Sequence, residues 1–157
     1  MNEPKKSPVK EKLYSVRKLD LAAEEAMLNY ESINSDLLKV TPFYGGVHVK
    51  SGSNTADFSG GVDRLREAAE RVLLRFDQYA AAKAEVVEII SAMDKWPDEM
   101  KCLRLRYLTY RENKNWRLLS WDEVAVRMCV SRRQVTNIHG QALQRFERIW
   151  KAKNRDK

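Results

Sequence analysis

Cysteine and histidine are scarce in this chain, with two of each among 157 residues. So few soft ligands exclude a disulfide-rich scaffold, and their spacing matches no common metal site. Cys102 and Cys129 each lie among apolar neighbours, where a free cysteine behaves as a small hydrophobic residue. We therefore expect two buried free thiols, no metal and no cofactor.

Long hydrophobic runs and enzyme motifs are also missing. No apolar run approaches the ~18 residues that span a bilayer, and the Lys- and Pro-rich N-terminus lacks the apolar segment of a secretory signal. These absences predict a cytoplasmic protein without membrane contact. There is no nucleophile elbow, phosphate loop or metal-ligand spacing, and His48 and His139 lie far apart, so we do not expect an enzyme.

Positive charge is concentrated at the C-terminal end of the chain. The formal net charge is +7. Residues 98–157 contain 15 Lys and Arg against 7 Asp and Glu, whereas residues 1–97 contain 14 against 15. A basic module attached to a nearly neutral body is typical of proteins that bind a polyanion such as nucleic acid.

The pattern of apolar residues predicts an all-α protein with four sections. Residues 1–12 form a basic, disordered N-terminus, and residues 13–96 form a long helical hairpin with coiled-coil character. A flexible Gly/Ser loop over residues 39–61 separates the two helices of the hairpin. Residues 97–151 form a helix-turn-helix domain, and residues 152–157 form a basic tail.

Two apolar stripes carry the hairpin prediction. Both repeat at alternating intervals of three and four residues, which is the spacing of a coiled-coil seam. An antiparallel hairpin buries both stripes, and the alternative that the helix over residues 62–94 pairs with a second copy, giving a homodimer, remains open. The stripes comprise Val16, Leu19, Ala23, Ala26, Tyr30, Ile33 and Leu37 in the first helix, and Leu65, Ala69, Val72, Phe76, Tyr79, Val86, Ile90 and Met93 in the second.

Two capping boxes mark helix starts in the basic module. Ser120 is followed three residues later by Glu123, and Ser131 three residues later by Gln134. In such a box the serine hydroxyl accepts from a free backbone N–H and the longer side chain accepts from the cap residue in return. The sequence therefore predicts two helices joined by a short turn.

The residues between the boxes are typical of a helix-turn-helix. Ala125 provides the small side chain needed where the second helix crosses the first, and Val130 fills the angle between them. Exposed side chains at the start of the second helix are of the types that read base edges in the major groove, since arginine pairs with guanine and asparagine or glutamine with adenine. The predicted DNA-binding residues are Arg132, Arg133, Thr136, Asn137, Ser131, Gln141, Gln134 and His139.

Four segments of this module resemble region four of bacterial sigma factors. They are residues 103–107, 120–125, 130–135 and 138–143. The match is closer to small phage-encoded sigma-like proteins, the ArpU-like and RinA-like late-gene regulators, and it is strongest over residues 88–150. The resemblance implies a transcriptional regulator that binds double-stranded promoter DNA in the bacterial host, with RNA polymerase as a further partner.

The same resemblance assigns roles to individual residues. It places Arg132, Arg133, Thr136 and Asn137 where region four reads bases, and it places Ser131 and Gln141 near backbone contacts. Sigma factors commonly carry an acidic residue where this chain has Arg133, so we expect a target other than the housekeeping −35 hexamer. No segment resembles region two, which melts the −10 element.

An interaction protein is the alternative from a different functional class. In that case the coiled-coil hairpin binds RNA polymerase or another phage protein, and the C-terminal helical corner is a fold element without DNA specificity of its own.

Overall fold

All regular secondary structure in the described part of the chain is helical. The computed structural model describes residues 7–39, 54–112 and 116–155. No strand occurs in these ranges, so the all-α prediction is confirmed for them. None of the helices found there is both long and apolar enough to cross a membrane. The elements are α1 (Pro8–Lys39), α2 (Asn54–Ser91), α3 (Pro97–Leu103) with a π-helical continuation (Arg104–Leu108), a 3-10 turn (Tyr110–Glu112), α4 (Trp121–Met128) and α5 (Arg132–Arg155).

Helix α1 begins earlier than the sequence predicted. Residues 8–12, expected to be disordered, are helical, and only residues 1–6 of the predicted N-terminal segment lie outside the described ranges. Proline is compatible with the first helical position because its missing N–H has no partner there in any case. Burial of Val9 and Leu13 then anchors this first part of the helix. At the other end of the chain α5 continues to Arg155, four residues past the predicted limit.

Helix α2 also begins earlier than expected. Residues 54–61 are helical, so the predicted flexible loop 39–61 is wrong at its C-terminal end, while residues 40–53 lie outside the described ranges. Gly60 and Gly61 suggested a turn, yet both lie inside the helix. A methyl group at position 61 would overlap the Leu37 side chain of α1, so glycine here permits a close approach of two helices.

The described chain divides into two compact units that do not follow the boundary predicted between residues 96 and 97. The terminal unit comprises Met1–Lys18 and Ala81–Lys157, and the central unit comprises Leu19–Ala80. Each long helix therefore contributes one end to the terminal unit, where buried side chains from both ends join those of the C-terminal helices.

The terminal unit has a well-filled core. The N-terminal part of α1 is tied into it by an edge-to-face contact between the Tyr14 and Tyr107 rings, whose centroids are 5.2 Å apart, and by a 2.5 Å hydrogen bond from Arg17 to the Trp116 carbonyl. Lys12 of α1 pairs with Glu85 of α2 at 2.5 Å. The largest buried side chains of this unit are Tyr107, Tyr110, Phe146, Leu13, Ile89, Ile90, Met93, Leu103 and Leu119.

The central unit buries much less. Among its residues with a described burial, 19–39 and 59–80, the buried ones are Asp20, Ala23, Ala68 and Tyr79, together with Gly61. Val16, Ala23, Tyr79, Val86, Ile90 and Met93 of the two predicted stripes are buried in their respective units. Phe76 is a correction, because it lies on the flank of its helix and is 37% exposed. The exposed large hydrophobic residues of this unit are Leu21, Met27, Leu28, Leu38, Val62, Leu73, Leu74 and Phe76.

Candidate nucleic-acid interface

Helix α4 begins at the predicted capping box. The Ser120 hydroxyl accepts from the Glu123 N–H at 3.3 Å, and the Glu123 carboxylate accepts from the Ser120 N–H at 2.6 Å. Arg117 donates twice to the same carboxylate, at 2.5 and 2.7 Å. The bonds from Arg117, and then those from Ser120, lower the pKa of Glu123 to about 2, so this cap stays ionised at neutral pH.

The turn after α4 is fixed by backbone geometry and one apolar side chain. Cys129 adopts the left-handed conformation (φ 58°, ψ 39°), and the Val130 N–H donates to the Ala125 carbonyl at 3.1 Å. Val130 packs against the core that Ala125 and Val135 help to form. The predicted roles of Ala125 and Val130 therefore agree with the packing.

One cysteine prediction is corrected at this turn. Cys102 is fully buried, and its burial raises the pKa of the thiol to about 11. Cys129 is exposed instead of buried. Cys129 is the left-handed residue that ends α4, and the apolar neighbours in the sequence do not reveal that its side chain is exposed there.

Helix α5 begins at the second predicted box. The Gln134 side-chain oxygen accepts from the backbone N–H and from the hydroxyl of Ser131, both at 2.9 Å, and the Gln134 N–H donates to that hydroxyl at 3.3 Å. Both residues are exposed. Ser131 and Gln134 therefore cap the start of α5. They lie at the edge of the surface formed by the other predicted DNA-binding residues.

One face of α5 is polar and open to solvent. Val135, Ala142 and Phe146 lie on the opposite, buried face. The exposed face combines groups that donate and accept hydrogen bonds over about three turns of one helix, which suits the edges of base pairs. Its residues are Arg133, Thr136, Asn137, Gly140, Gln141 and Gln144.

The two arginines at the start of α5 differ in their surroundings. Arg132 lies 3.4 Å from the Asp122 carboxylate of α4, in an ion pair whose two side chains are about two-thirds exposed. Such a pair is weak and is easily exchanged for a phosphate. Arg133 is exposed and makes no hydrogen bond or ion pair with any described residue. The Thr136 hydroxyl donates to the Arg132 carbonyl at 3.1 Å.

His139 is corrected as a DNA-binding residue because it is only 7% exposed. Its Nε2 is hydrogen bonded to the Tyr107 hydroxyl at 3.0 Å, and the Trp121 ring centroid lies 4.6 Å from its own. Burial, and then the charges of Lys10 and Arg106, lower the pKa of His139 to about 4, so the ring is neutral at pH 7. His139 follows the buried Val135 by four residues, and this helical spacing was the sequence signal that places it on the inner face of α5.

The basic residues in the second half of α5 have mixed roles. Arg145 lies 2.7 Å from the buried Glu99 carboxylate and over the Trp96 ring, 4.0 Å from its centroid, so it joins α5 to α3. Lys153 pairs with Glu88 of α2. Arg148 is exposed and has no partner among the described residues, and it extends the positive end of the open face.

Gly140 and Gln144 are surface residues that the predicted list omitted. Gln144 follows Arg133 by eleven residues, which is three helical turns, so counting along the helix would have found it. Gly140 lies between Asn137 and Gln141, and a methyl group there would meet no atom within 4 Å. The glycine is therefore not required by packing inside the protein.

Comparisons with protein-family models, with curated proteins and with solved structures give no match to this chain. The candidate interface is therefore defined by its own geometry.

Proposed function

We propose that this protein is a sequence-specific double-stranded DNA-binding regulator of transcription. In this proposal α4, the turn at residues 129–131 and α5 form a helix-turn-helix, and the start of α5 enters the major groove. The observation that carries the proposal is the open face of α5. Arg133, Asn137 and Gln141 lie on it with their polar groups directed to solvent, while the other side of the same helix packs into the core.

Each side chain has a chemically suited partner on DNA. Arg133 can donate two hydrogen bonds to O6 and N7 of guanine, and Asn137 or Gln141 can both donate to and accept from adenine. Arg132 lies beside α4 rather than on the centre of the face, so we assign it to a backbone phosphate in exchange for Asp122. The free backbone N–H groups at the start of α5 favour a phosphate at the same end.

The long helices are proposed to form an antiparallel hairpin. The ion pair in the terminal unit joins Lys12 near the start of α1 to Glu85 near the end of α2. The close contact in the central unit joins Leu37 near the end of α1 to Gly61 near the start of α2. Both contacts agree with helices that run in opposite directions.

The promoter role rests on the resemblance to sigma region four. It supports a phage late-gene activator that works with the RNA polymerase of the bacterial host, because no segment of this sequence resembles region two, which melts DNA in sigma factors. Arg133 stands where an acidic residue is common in sigma factors, so we expect a different DNA sequence from the housekeeping −35 element.

An adaptor that binds a protein through its long helices is the second candidate function. The exposed apolar residues of the central unit favour it, because monomeric proteins seldom leave many such residues open to water. The two candidates differ in one property, which is the affinity of purified protein for DNA of defined sequence.

The test is selection of bound duplexes from a randomised double-stranded library, followed by fluorescence anisotropy on the selected sequence. We expect a dissociation constant of about 10⁻⁷ M or tighter that weakens steeply with salt, and a loss of about 100-fold in Arg133→Ala/Asn137→Ala. Arg75→Ala removes one positive charge from the central unit and is the control, for which we expect little change.

A failed selection, or a double variant that binds as well as the control, would falsify the proposed function. Helical circular dichroism must remain unchanged in both variants, because the substituted residues are exposed.

A further inference from the structure

Five exposed polar side chains form a single stripe along α5, which we call the amide stripe. At 100° per residue they lie within about 80° of one another around the helix axis. None of the five makes a hydrogen bond or an ion pair with any described residue, so their polar groups are open to a ligand. From the start of the helix, the amide stripe consists of Arg133, Asn137, Gln141, Gln144 and Arg148.

The chemical groups of the amide stripe follow a defined order. An arginine comes first, three carboxamides follow, an arginine comes last, and no carboxylate is among them. The guanidinium of Arg133 offers only donors, which match the two acceptors N7 and O6 of guanine. Each carboxamide offers a donor beside an acceptor, which matches N7 and N6 of adenine, whereas the N4 donor of cytosine calls for a carboxylate. The order of groups therefore suits one guanine followed by adenines.

The spacing of the amide stripe determines which base pairs its members can reach. The three carboxamides follow Arg133 at intervals of four, four and three residues, so each step is about one helical turn. In zinc-finger helices, side chains at such intervals contact successive bases in the major groove. Arg148 lies about 22 Å from Arg133 along a straight helix, whereas the groove winds away around the duplex. We therefore assign Arg148 to a backbone phosphate.

Thr136, beside the amide stripe, gives a second indication of A·T pairs. Its hydroxyl donates to the Arg132 carbonyl at 3.1 Å, so this proton is used inside the helix. The side chain is exposed, and its methyl group remains for an apolar contact. Thymine carries a methyl group into the major groove, and threonine methyl groups pack against it. Thr136 directly precedes Asn137, so it lies at nearly the same level as the A·T pair that Asn137 would read.

We propose that α5 reads a G·C pair followed directly by three A·T pairs. Arg133 reads the guanine, the three carboxamides of the amide stripe read the adenines in turn, and Thr136 contacts the thymine of the first A·T pair. This element has a direction, so it fixes which way the protein lies on a promoter. The inference rests on the proposed function, because it names the DNA sequence that this function would recognise.

Duplexes selected from the randomised library test the element directly. We expect their consensus to contain a G·C pair followed by three A·T pairs. Replacement of any one of these A·T pairs by G·C should weaken binding about tenfold. Tight, salt-dependent binding to a consensus without this order would overturn the inference and leave the proposed function standing. A library from which no duplex is selected would overturn both.

An exchange of base preference tests the order of side chains along the stripe. Asn137→Arg replaces a carboxamide by a fork of donors, so we expect this variant to prefer G·C over A·T by about tenfold at the second position of the element. Gln141→Arg should transfer the same preference to the third position. The measured quantity is the ratio of dissociation constants for two duplexes, which cancels the added positive charge. A preference that stays with A·T, or that changes at a different position, would contradict the proposed order.

The two arginines of the amide stripe give a matched pair of variants. Arg133→Gln and Arg148→Gln each remove one positive charge from an exposed position, so the helical circular dichroism should stay unchanged. We expect Arg133→Gln to lose the preference for G·C at the first position. Arg148→Gln should weaken binding to every duplex by the same factor and reduce the slope of log Kd against log salt by about one. If Arg148→Gln changed the preference at one base pair instead, the assigned end of the element would be wrong.

Discussion

The terminal and central units differ in how completely they bury their apolar side chains. The terminal unit surrounds large side chains such as Tyr107, Phe146 and Leu103 on all sides and presents polar groups outward on α5. The central unit contains the later part of α1 and the earlier part of α2, and few of its described side chains are fully buried. Two helices alone can shield only the line along which they meet, whereas helices that cross at several angles enclose a core.

This difference indicates separate tasks for the two units. The exposed face of α5 in the terminal unit consists mainly of hydrogen-bonding side chains, which suit a polar ligand with a defined pattern of donors and acceptors. Besides charged residues, the central unit exposes several large apolar side chains of Leu, Met, Val and Phe, whose burial against another apolar surface is favourable. One chain thus carries two chemically distinct surfaces.

The largest expected effect comes from truncating matched phenylalanines in the two units. Phe146 is fully buried in the terminal unit and Phe76 is 37% exposed in the central unit. We expect Phe146→Ala to lower the free energy of unfolding by about 3–5 kcal/mol, because it loses burial and leaves a cavity. We expect Phe76→Ala to lower it by about 1 kcal/mol or less, because this side chain already contacts water in the folded protein.

Urea titration followed by circular dichroism measures both values. Equal losses of unfolding free energy in Phe146→Ala and Phe76→Ala would refute the proposed difference in burial between the two units.

The second-largest expected effect is a pH dependence of the free energy of unfolding that arises from His139. Its pKa is about 4 in the folded protein and near 6.5 when exposed, so the unfolded chain binds a proton first as the pH falls. The neutral ring therefore contributes stability that is fully present above pH 6.5 and is lost progressively toward pH 4. Between pH 7 and pH 5 we expect a loss of about 2 kcal/mol in the free energy of unfolding.

A double variant isolates this contribution. Tyr107→Phe/His139→Phe removes both members of this hydrogen bond and keeps two rings of similar size, so neither member is left buried without the other. The raised pKa of Glu99, caused mainly by desolvation, gives stability that falls as the pH rises and is common to both proteins. A wild-type protein and double variant with the same slope between pH 7 and pH 5 would contradict the role of His139.

Helix content and helix starts in the C-terminal module followed directly from the sequence. The boxes at Ser120 and Ser131 depend on residues three positions apart, so local sequence is enough to define them. The same holds for the inner face of α5, where Val135, Ala142 and Phe146 repeat at helical spacing. These features involve no information from distant parts of the chain.

Features that depend on distant contacts were missed. Gly61 allows an approach by Leu37, twenty-four residues earlier in the chain, and the sequence around it is equally suited to a turn. His139 resembles a surface histidine until Tyr107 and Trp121 are placed beside it. The division between the units also depends on which parts of α1 and α2 find partners among the C-terminal helices. Local patterns define elements, whereas packing decides which residues of each element remain available for binding.

The smallest effect concerns Gly140 and links the stability of the terminal unit to its outward surface. A glycine inside a helix costs about 1 kcal/mol relative to alanine, and here a methyl group would meet no atom within 4 Å. We therefore expect Gly140→Ala to raise the free energy of unfolding by about 0.5–1 kcal/mol.

Since no packing inside the protein requires glycine, we attribute the glycine at position 140 to a ligand that comes close to the backbone between Asn137 and Gln141. Anisotropy titrations on the selected duplex should then show weaker binding for Gly140→Ala and weaker still for Gly140→Leu. A more stable Gly140→Ala protein with unchanged DNA affinity would mean that DNA does not approach α5 at this position, and would restrict the reading surface to the first turn and a half of the helix.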